Sequence, residues 1–386
     1  MKKTFLSYFC TMKDHRINRK KLHPLINIVA IAIVGVICGM ATWEEISLFG
    51  KLKKDFFSKF LDLKNGIPSK DTFRRFFIAL DPQVFELHFT EWAKALAEKI
   101  NKKIDNEVNH DKEVDKESIN IDGKTIRQAS RMQEDNPIHL VSAWAGANEL
   151  ILGQVKTEEK SNEITAIPLL LEALFLEDSI VTIDAMGCQK NIVEKKVEKK
   201  ADYVLALKGN HPTLLEDVTR SFDKKNCDDF YQTINSDHGR IEERKCSIIT
   251  DLNFIFDREA WKNLKSIVRI DSQRTIKKTG EIQQETRYYI SSLNHAKQIL
   301  NANRSHWGVE NSLHWCLDMV FGEDRSSKRK GFSAQNFSLI NKIALNLFRK
   351  NKTNDIQRFK NQVGINTKRK FAACDDSYLF ELIKLI

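Results

Sequence analysis

The stretch SINIDGKTIR (residues 118–127) decides how this chain is interpreted. It begins with alternating apolar, β-branched residues and reaches a carboxylate at Asp122, which is the pattern of a strand that ends on an acidic side chain. A second run, SIVTIDAMGCQ (residues 179–189), repeats this arrangement with Asp184. Two such runs predict an α/β sheet with acidic residues at one edge.

The residues around these runs predict three consecutive strands, followed by a helix, a strand, a helix and a strand. In chain order, these elements are INIDGKTIR, IHLVSAWAG, ELILGQVK, NEITAIPLLLEALFL, SIVTIDA, CQKNIVEKKVEKKA and DYVLALKGN. Three strands followed by alternation is the element order of a ribonuclease H-like α/β core. Because sites in open α/β sheets form outside the carboxyl ends of strands, Asp184 and the following-loop residue Lys208 are expected at such a site.

Residues 212 to about 300 interrupt the alternation. They contain three further predicted strands, RIEERKCSIIT, SIVRIDSQR and ETRYYISSL, and so predict a β-rich insertion. A helical stretch with Glu310 follows, at about residues 302–321, and NFSLINKIALNLFRK predicts a last amphipathic helix. The predicted catalytic domain therefore covers residues 118–350.

Asp122, Asp184 and Glu310 suggest a chemistry. Two strand-end aspartates and a helical glutamate can converge on two divalent metal ions, which clamp the attacking and leaving oxygens of an in-line phosphoryl displacement. Carboxylate oxygens are the hard ligands that Mg²⁺ prefers, and Mn²⁺ accepts the same ligand type. The sequence therefore predicts a two-ion Mg²⁺ centre, in which Mn²⁺ could substitute.

Residues 1–101 predict an all-helical N-terminal domain. Gly66 and Pro68 break the chain before a helix for which Ser69 is a good N-cap. Arg74 and Arg75 point away from the apolar positions of this helix. The arrangement loosely resembles a helix-turn-helix that binds DNA. The alternative is a plain helical bundle with a charged face.

Residues 25–41 (LINIVAIAIVGVICGMA) form a long apolar run behind a basic start. Seventeen residues lie at the lower edge of what spans a bilayer. We therefore expect a buried core helix, and its expected partner is the apolar stripe of the helix capped by Ser69. That stripe consists of Phe73, Phe76, Phe77 and Leu80. A signal anchor is the alternative.

Two segments predict little regular structure. Residues 102–117 (KKIDNEVNHDKEVDKE) are almost devoid of apolar side chains and predict a polar linker. Residues 351–386 are interpreted as a basic C-terminal tail. The whole chain carries 62 Lys and Arg against 52 Asp and Glu, a net charge of +10, which is compatible with a polyanionic partner or with a solvated basic surface.

The seven cysteines are scattered and never spaced as C-x-x-C, which argues against a zinc site and against a disulfide framework. A reducing compartment is the simplest interpretation. We therefore expect a cytoplasmic protein, associated with the nucleoid if its partner is DNA.

Several motifs occur in order along the chain: DGKTIR, KSNEITAIPLLL, VTIDAMGCQ, DYVLALKGNH, HGRIEER, HWGVENSLHW and IALNLFRK. Together they resemble the DDE transposases of bacterial insertion sequences, and more narrowly the H-repeat-associated, ISAs-type family. ICGMATWEEISLFG and GIPSKDTFRR resemble that family's associated N-terminal domain. The resemblance covers roughly residues 20–350.

This resemblance implies a ribonuclease H-like catalytic domain that cuts and joins DNA strands at the ends of a mobile element, using metal ions. Asp122, Asp184 and Glu310 match the three catalytic acids. The implied partner is double-stranded DNA, as terminal inverted repeats and as target DNA, bound by a homodimer. Neither a membrane nor a small-molecule substrate is expected.

Many relatives in the wider superfamily carry Tyr, Arg and Lys at fixed offsets around the glutamate, where this chain has Asn303, His306 and Leu317. Arg304 and His306 are candidates to supply the missing positive or hydrogen-bonding groups. The full set of predicted DNA or phosphate contacts is Lys124, Lys208, His238, Arg240, Arg304, His306, Arg74 and Arg75.

Three other functions stay open from the sequence. The chain could be a transposase relic that binds DNA and moves nothing, or a non-mobile metal nuclease of the same fold. It could also be a membrane-associated regulator built on residues 25–41. Inverted repeats beside the gene distinguish the first two, and fractionation tests the third.

Overall fold

The computed structural model describes residues 5–17, 21–107, 116–127, 138–157, 163–237 and 239–384. Within these ranges, nine strands form one mixed sheet in the order β3-β2-β1-β4-β5-β9-β8-β7-β6. The strands are β1 (Ser118–Ile126), β2 (Ile138–Ala145), β3 (Leu150–Lys156), β4 (Ile180–Ile183), β5 (Asp202–Leu207), β6 (Asp229–Asp237), β7 (Arg240–Ile249), β8 (Ser266–Ile276) and β9 (Ile282–Ser291).

The inner half of the sheet consists of β1 to β5. Strands β1, β4 and β5 are parallel, β2 is antiparallel to β1, and β3 is antiparallel to β2. This order, built from three consecutive strands and then alternation, fits the expected ribonuclease H-like core. The apolar runs that predicted these strands are buried because helices cover both faces of the inner half.

The outer half of the sheet consists of β6 to β9, which the sequence predicted only in part, as a β-rich insertion. A helix, α8 (Pro212–Lys224), precedes these strands, and neither this helix nor β6 was predicted from the sequence. The insertion is no separate body, because β9 pairs antiparallel with β5 and extends the central sheet. The hydrogen bonds between β5 and β9 therefore join both halves into one sheet.

The helices of the described residues surround this sheet. They are α1 (Leu25–Ile37), α2 (Trp43–Leu52), α3 (Lys54–Ser58), α4 (Lys70–Ala79), α5 (Pro82–Glu107), α6 (Glu163–Ala173), α7 (Lys190–Glu198), α8 (Pro212–Lys224), α9 (Ala296–Gly308), α10 (Trp315–Met319), α11 (Ser333–Lys350), α12 (Lys352–Phe359), α13 (Ile365–Cys374) and α14 (Asp376–Lys384).

Two of the longer-range contacts show which face each helix covers. Helix α9 packs on the sheet where His306 forms a hydrogen bond with Thr182 of β4. Helix α11 packs where Lys342 forms a hydrogen bond with Ser142 of β2. Both contacts lie on the face that carries Asp122. Helix α6 covers the opposite face, where its Leu170 and the following Leu174 lie against Gly153 of β3.

Helix α1 is formed by the first thirteen residues of the apolar run 25–41, and all but one of these thirteen residues are buried. Within the described ranges, the structure contains no helix with the length and apolarity that a bilayer crossing needs. The expected packing partner is wrong: α1 packs mainly on α2 and α11. The stripe of α4 instead meets Trp43 of α2, which stacks on Phe77 with ring centroids 5.0 Å apart.

The described N-terminal segments contain only helical elements, and the Ser69 side chain caps α4 by accepting from the Thr72 amide, as expected. They do not form a separate core, however. One hydrophobic core runs from Phe5 to Ile383 and includes residues of the inner half of the sheet. The reason is α11, a helix buried along nearly its whole length between the N-terminal helices and the sheet.

Two boundary predictions are corrected. Helix α5 continues to Glu107, through the first residues of the expected linker at 102–117, while positions 108–115 lie outside the described residues. The expected basic tail at 351–386 folds into α12, α13 and α14. Tyr378, Leu379 and Leu382 are buried because they recur at helical spacing, which the high charge of the segment obscured.

Candidate functional site

The parallel pairing of β1 and β4 places the two aspartates side by side. Ile121 and Ile183 form the last register pair, and Asp122 and Asp184 are the next residue of each chain segment. Asp184 follows β4 directly, as predicted. Asp122 does not end its strand: β1 continues to Ile126 because β2 stays paired with it along that length.

Glu310 reaches the same region from above the sheet. The helix that carries it begins at Ala296, earlier than predicted, and α9 passes into a π-helical turn, Val309–His314, before α10. Short π-helical segments occur often at functional sites because they redirect side chains within a continuous helix. Glu310 lies in this turn and is exposed to solvent.

One cleft, with a volume of about 610 Å³, is lined by Asp122, Asp184 and Glu310 together. Lys208, in the loop after β5, lines the same cleft. The structure thus brings together three acids that are widely separated in the sequence. Within the described part of the chain, however, no three carboxylate, imidazole or thiolate groups are grouped closely enough to hold a metal ion as they stand.

The acids of the cleft repel one another. Burial raises the pKa of Asp122 to about 7, and the carboxylates of Asp184, Glu163 and Glu310 add to this rise, against the Gly123 amide. Burial also raises the pKa of Asp184, and the negative charge of Glu163 is the second largest cause of this rise. Both shifts mean that negative charge is disfavoured here, because carboxylates share a partly desolvated space.

The donor set fits a bound cation. Among the described residues, none of the three acids forms an ion pair with a lysine or arginine. The nearest basic group to Asp122 is His314, with Nδ1 3.6 Å from Oδ2, but burial lowers the pKa of His314 to about 3 and leaves it neutral. Hard oxygen donors without a cationic partner are what a divalent ion such as Mg²⁺ requires.

Lys124, predicted to bind phosphate, is engaged elsewhere. Its ammonium lies 2.5 Å from Asp318, 2.9 Å from Glu323 and 3.4 Å from Asp324. Burial opposes the charge, but Glu323 and Asp318 outweigh it and raise the pKa of Lys124. Lys124 therefore ties the segment after Glu310 to the strand of Asp122, and the prediction of a phosphate contact is corrected.

His306 lines the cleft but is not a cation. Burial, with Arg287 and Lys196 adding to it, lowers the pKa of His306 to about 4. The Thr182 hydroxyl donates to Asn120, so His306 Nδ1, 2.9 Å away, must donate to Thr182. The neutral ring then presents Nε2 as an acceptor. A neutral His306 does not supply the positive charge considered from the sequence, while a hydrogen-bonding role toward DNA stays a prediction.

The other predicted contacts are divided between the cleft and the periphery. Lys208 lines the cleft, and its charge opposes the rise in the pKa of Asp184. Arg304 is exposed on α9 but does not line the cleft. Arg74 and Arg75 are exposed on α4, where Arg74 lies 3.4 Å from Asp71.

Arg240 lies at the end of the β6–β7 hairpin in the outer half of the sheet, 4.0 Å from Glu242. It does not line the cleft. His238 lies outside the described residues. The hairpin therefore offers a peripheral basic residue, while its role in contacting DNA stays a prediction.

Four residues near the acids were not singled out from the sequence. Arg287 of β9 and Trp307 of α9 line the cleft, with the guanidinium 4.8 Å from the ring centroid. Glu163 and His139 form a hydrogen-bonded pair beside Gly123. Glu163 had one available signal, since it lies within the KSNEITAIPLLL motif. Trp307 had the same kind of signal, since it lies within the HWGVENSLHW motif, whereas Arg287 and His139 become visible only when strands and helices are paired.

Comparison with known proteins identifies the chain. The family described as "Transposase DDE domain" matches residues 78–347, and the family described as "DDE_Tnp_1-associated" matches residues 6–93. A sheet of this order with three acids around one cleft accords with the first match. The chain belongs to the DDE transposase family.

The relatives refine this placement. "Putative transposase YncI" of Escherichia coli O157:H7 is 39% identical over 98% of this chain and 94% of its own length. "H repeat-associated putative transposase YhhI" of Escherichia coli K12 is 36% identical over 99% of this chain and 98% of its own length. These similarities place the chain with the H-repeat-associated branch, as the motifs predicted.

A solved structure of a piggyBac transposase synaptic complex with hairpin DNA aligns with 98% of this chain and 78% of its own, at 10% identity and a TM-score of 0.40. A likeness of that strength adds nothing to the family assignment.

Proposed function

We propose that this protein is an active transposase that cuts and joins DNA at the ends of its insertion sequence. Asp122, Asp184 and Glu310 would hold two Mg²⁺ ions, for which Mn²⁺ could substitute. The observation that carries this proposal is the convergence of three acids on one cleft without a lysine or arginine ion pair among the described residues. Membership of a family of DNA transposases supplies the substrate class.

Metal ions bound here would neutralise the phosphate, activate the attacking oxygen and stabilise the leaving oxygen. The protein's own part is to hold the acids in place. Asp122 and Asp184 are fixed by strand register, and Asp184 is held further by the Met186 and Gly187 amides at 3.1 Å and 3.4 Å. Glu310 lies on a helix that Lys124 anchors to β1.

The substrate would be double-stranded DNA, as terminal inverted repeats and as target DNA, and we propose that a homodimer binds it in the cytoplasm at the nucleoid. Lys208 and Arg287 line the cleft and are suited to the phosphates nearest the acids. Arg304, Arg240, Arg74 and Arg75 are exposed or partly exposed and would contact DNA farther from the point of cleavage.

The test separates DNA binding from chemistry. Asp122→Asn keeps the shape of the side chain but removes an anionic ligand, so Mg²⁺-dependent cleavage of a DNA fragment carrying the element end should fall by orders of magnitude. Binding of the same fragment should stay nearly unchanged. Asp223→Asn, at an exposed position of α8, is the matched control and should leave both intact.

Each alternative function predicts a different result. A wild-type protein that binds the fragment but cleaves nothing with Mg²⁺ or Mn²⁺ is a relic. Cleavage without joining of element ends to target DNA indicates a non-mobile nuclease. Undiminished Mg²⁺-dependent cleavage by Asp122→Asn contradicts the assignment of the three acids.

A further inference from the structure

A fourth carboxylate, that of Glu163, lies beside the two aspartates. Glu163 begins α6, on the face of the sheet opposite to α9. Its Oε1 is 2.5 Å from Nε2 of His139 on β2, and Nδ1 of that ring is 2.8 Å from the Thr125 hydroxyl on β1. An ionised carboxylate only accepts hydrogen bonds, so Nε2 carries a proton and His139 holds Glu163 in one orientation.

Gly123 explains how Glu163 approaches so closely. A Cβ added at Gly123 would overlap both Glu163 and His139, so the carboxylate packs directly against the backbone that follows Asp122. The Gly123 amide is 2.9 Å from Oδ1 of Asp122. The contact from Glu163 Oε1 to the Cβ position of Gly123, the bonds of Gly123 and the distance from its amide to Asp122 Oδ1 form one continuous path. The length of this path limits the separation of Glu163 Oε1 and Asp122 Oδ1 to about 8 Å.

The end of β4 gives the two acids access to a common space. β1 and β4 pair only as far as Ile121 and Ile183, while β1 continues to Ile126. Beyond that pair, β1 has an open edge on its β4 side. Asp122 is on one face of the sheet beside this edge, Glu163 packs against Gly123 on the other face, and Asp184 directly follows the end of β4.

The negative charge of Glu163 has few compensating partners, although its side chain is largely shielded from solvent. Its side chain is only 13% exposed. Oε1 has His139, but within the part of the chain that the structure describes, the second oxygen has no hydrogen-bond partner, and no lysine or arginine pairs with the carboxylate. A shielded acid near two others is costly unless a cation joins the group.

We propose that Glu163 is a fourth metal-binding carboxylate of this centre, which contributes its free oxygen to one of the divalent ions. The inference rests on the proposed metal centre of Asp122, Asp184 and Glu310. His139 acts as the positioning residue for Glu163, and Gly123 provides the space. Metal binding would draw Glu163 and the aspartates together across the open edge of β1.

The experiment is calorimetric titration of the full-length protein with MnCl₂ and with MgCl₂, without DNA. Glu163→Gln should weaken binding of the ions tenfold or more, in the direction of Asp184→Asn. Glu163→Asp retains the charge and should recover part of the affinity. Glu172→Gln, on the exposed side of the same helix, should bind as the wild type does.

Thermal unfolding without metal separates a ligand from a structural residue. Removing a like charge beside Asp122 and Asp184 should leave the Tm of metal-free Glu163→Gln unchanged or higher, while its metal-induced rise in Tm shrinks. A lower Tm in the metal-free variant with an unchanged metal-induced rise would show a purely structural role and overturn the inference.

Failure of this inference and failure of the proposed centre give different results. If Asp184→Asn loses metal binding and Glu163→Gln does not, Glu163 lies outside an otherwise correct centre. If both variants bind Mn²⁺ and Mg²⁺ as the wild type does, the centre itself is wrongly assigned, and this inference falls with it.

Discussion

The inner and outer halves of the sheet share one hydrogen-bond network but differ in how they meet solvent. Strands β1 to β5 are largely buried by helices on both faces and contain few charged side chains, one of which, Asp122, lines the cleft. The outer half buries the ends of its strands nearest α9 but exposes Phe230, Ile234, Ile241 and Ile282 along with many charged residues.

This difference indicates that the two halves of the sheet have different roles. In the inner half, close packing and strand register fix the acids, since a packed sheet tolerates little displacement. In the outer half, ion pairs such as that of Arg269 with Asp271, both on β8, are accessible to solvent and contribute little to stability. We expect the inner half to determine folding and chemistry, and the outer half to determine what the protein touches.

The largest expected contrast comes from placing one charge in each half. Val181→Asp buries a carboxylate in β4, where Val181 is fully buried, and should unfold or aggregate the protein because an unpaired buried charge costs several kcal/mol. Ile282→Asp, at a position 58% exposed on β9 and opposite Thr275, should change stability by about 0.5 kcal/mol or less. Urea denaturation measures both, and equal losses would abolish the distinction.

Ion pairs should show the same contrast. Lys124→Met removes the ammonium partner of Asp318 and of the buried Glu323, and should lower the free energy of unfolding by about 3–5 kcal/mol. Arg269→Met in the outer half should cost about 1 kcal/mol or less. At a temperature where Lys124→Met is still folded, the salt dependence of its DNA binding should match the wild type. A shallower dependence would restore the phosphate role predicted from the sequence.

Much of the inner half was predictable because each strand is a short apolar run with clear boundaries. The partners of Lys124 were not, because Asp318, Glu323 and Asp324 are 194 to 200 residues away and no local pattern encodes such a pairing. The π-helical turn at Glu310 was not predictable either, because over its six residues the spacing of apolar side chains does not differ from that of an α-helix. Glu163 was missed because its neighbours come from across the sheet.

The pH dependence of stability offers a smaller effect from the inner half. Burial lowers the pKa of Lys196 from 10.5 to about 7, and its ammonium has no hydrogen-bond partner among the described residues. Between these values the unfolded chain binds more protons than the folded one, so stability should rise as the pH increases from about 7 towards 10.5. Below pH 7 both states are protonated, and the cost of burying the charge is fully present.

Lys196→Met should therefore be more stable than the wild type at pH 6, by on the order of 3 kcal/mol, and should lose much of the rise above pH 7. Chemical denaturation at pH 6, 7.5 and 9 measures both effects. Lys200→Met, exposed after the same helix, is the control and should keep the wild-type profile. A wild-type profile in Lys196→Met would mean that this amine is solvated.

The smallest expected effect concerns the periphery of the protein. If Arg74 and Arg75 contact phosphates, replacing both by Gln should reduce the log–log salt slope of DNA binding by about 0.9 per lost contact. Lys200→Gln, at the opposite end of the strands from the cleft, should leave the slope unchanged. An unchanged slope in the double variant would assign these arginines to a solvated helix face.

The central claim is that Asp122, Asp184 and Glu310 form one metal centre. The most direct measurement is a crystal structure of the full-length protein soaked in MnCl₂, with anomalous scattering used to locate the ions. Two Mn²⁺ peaks roughly 3.5–4 Å apart, coordinated by these three carboxylates and lost in Asp184→Asn, are the predicted result. Mn²⁺ bound elsewhere on the protein, with the cleft of the three acids empty at saturating concentration, would contradict it.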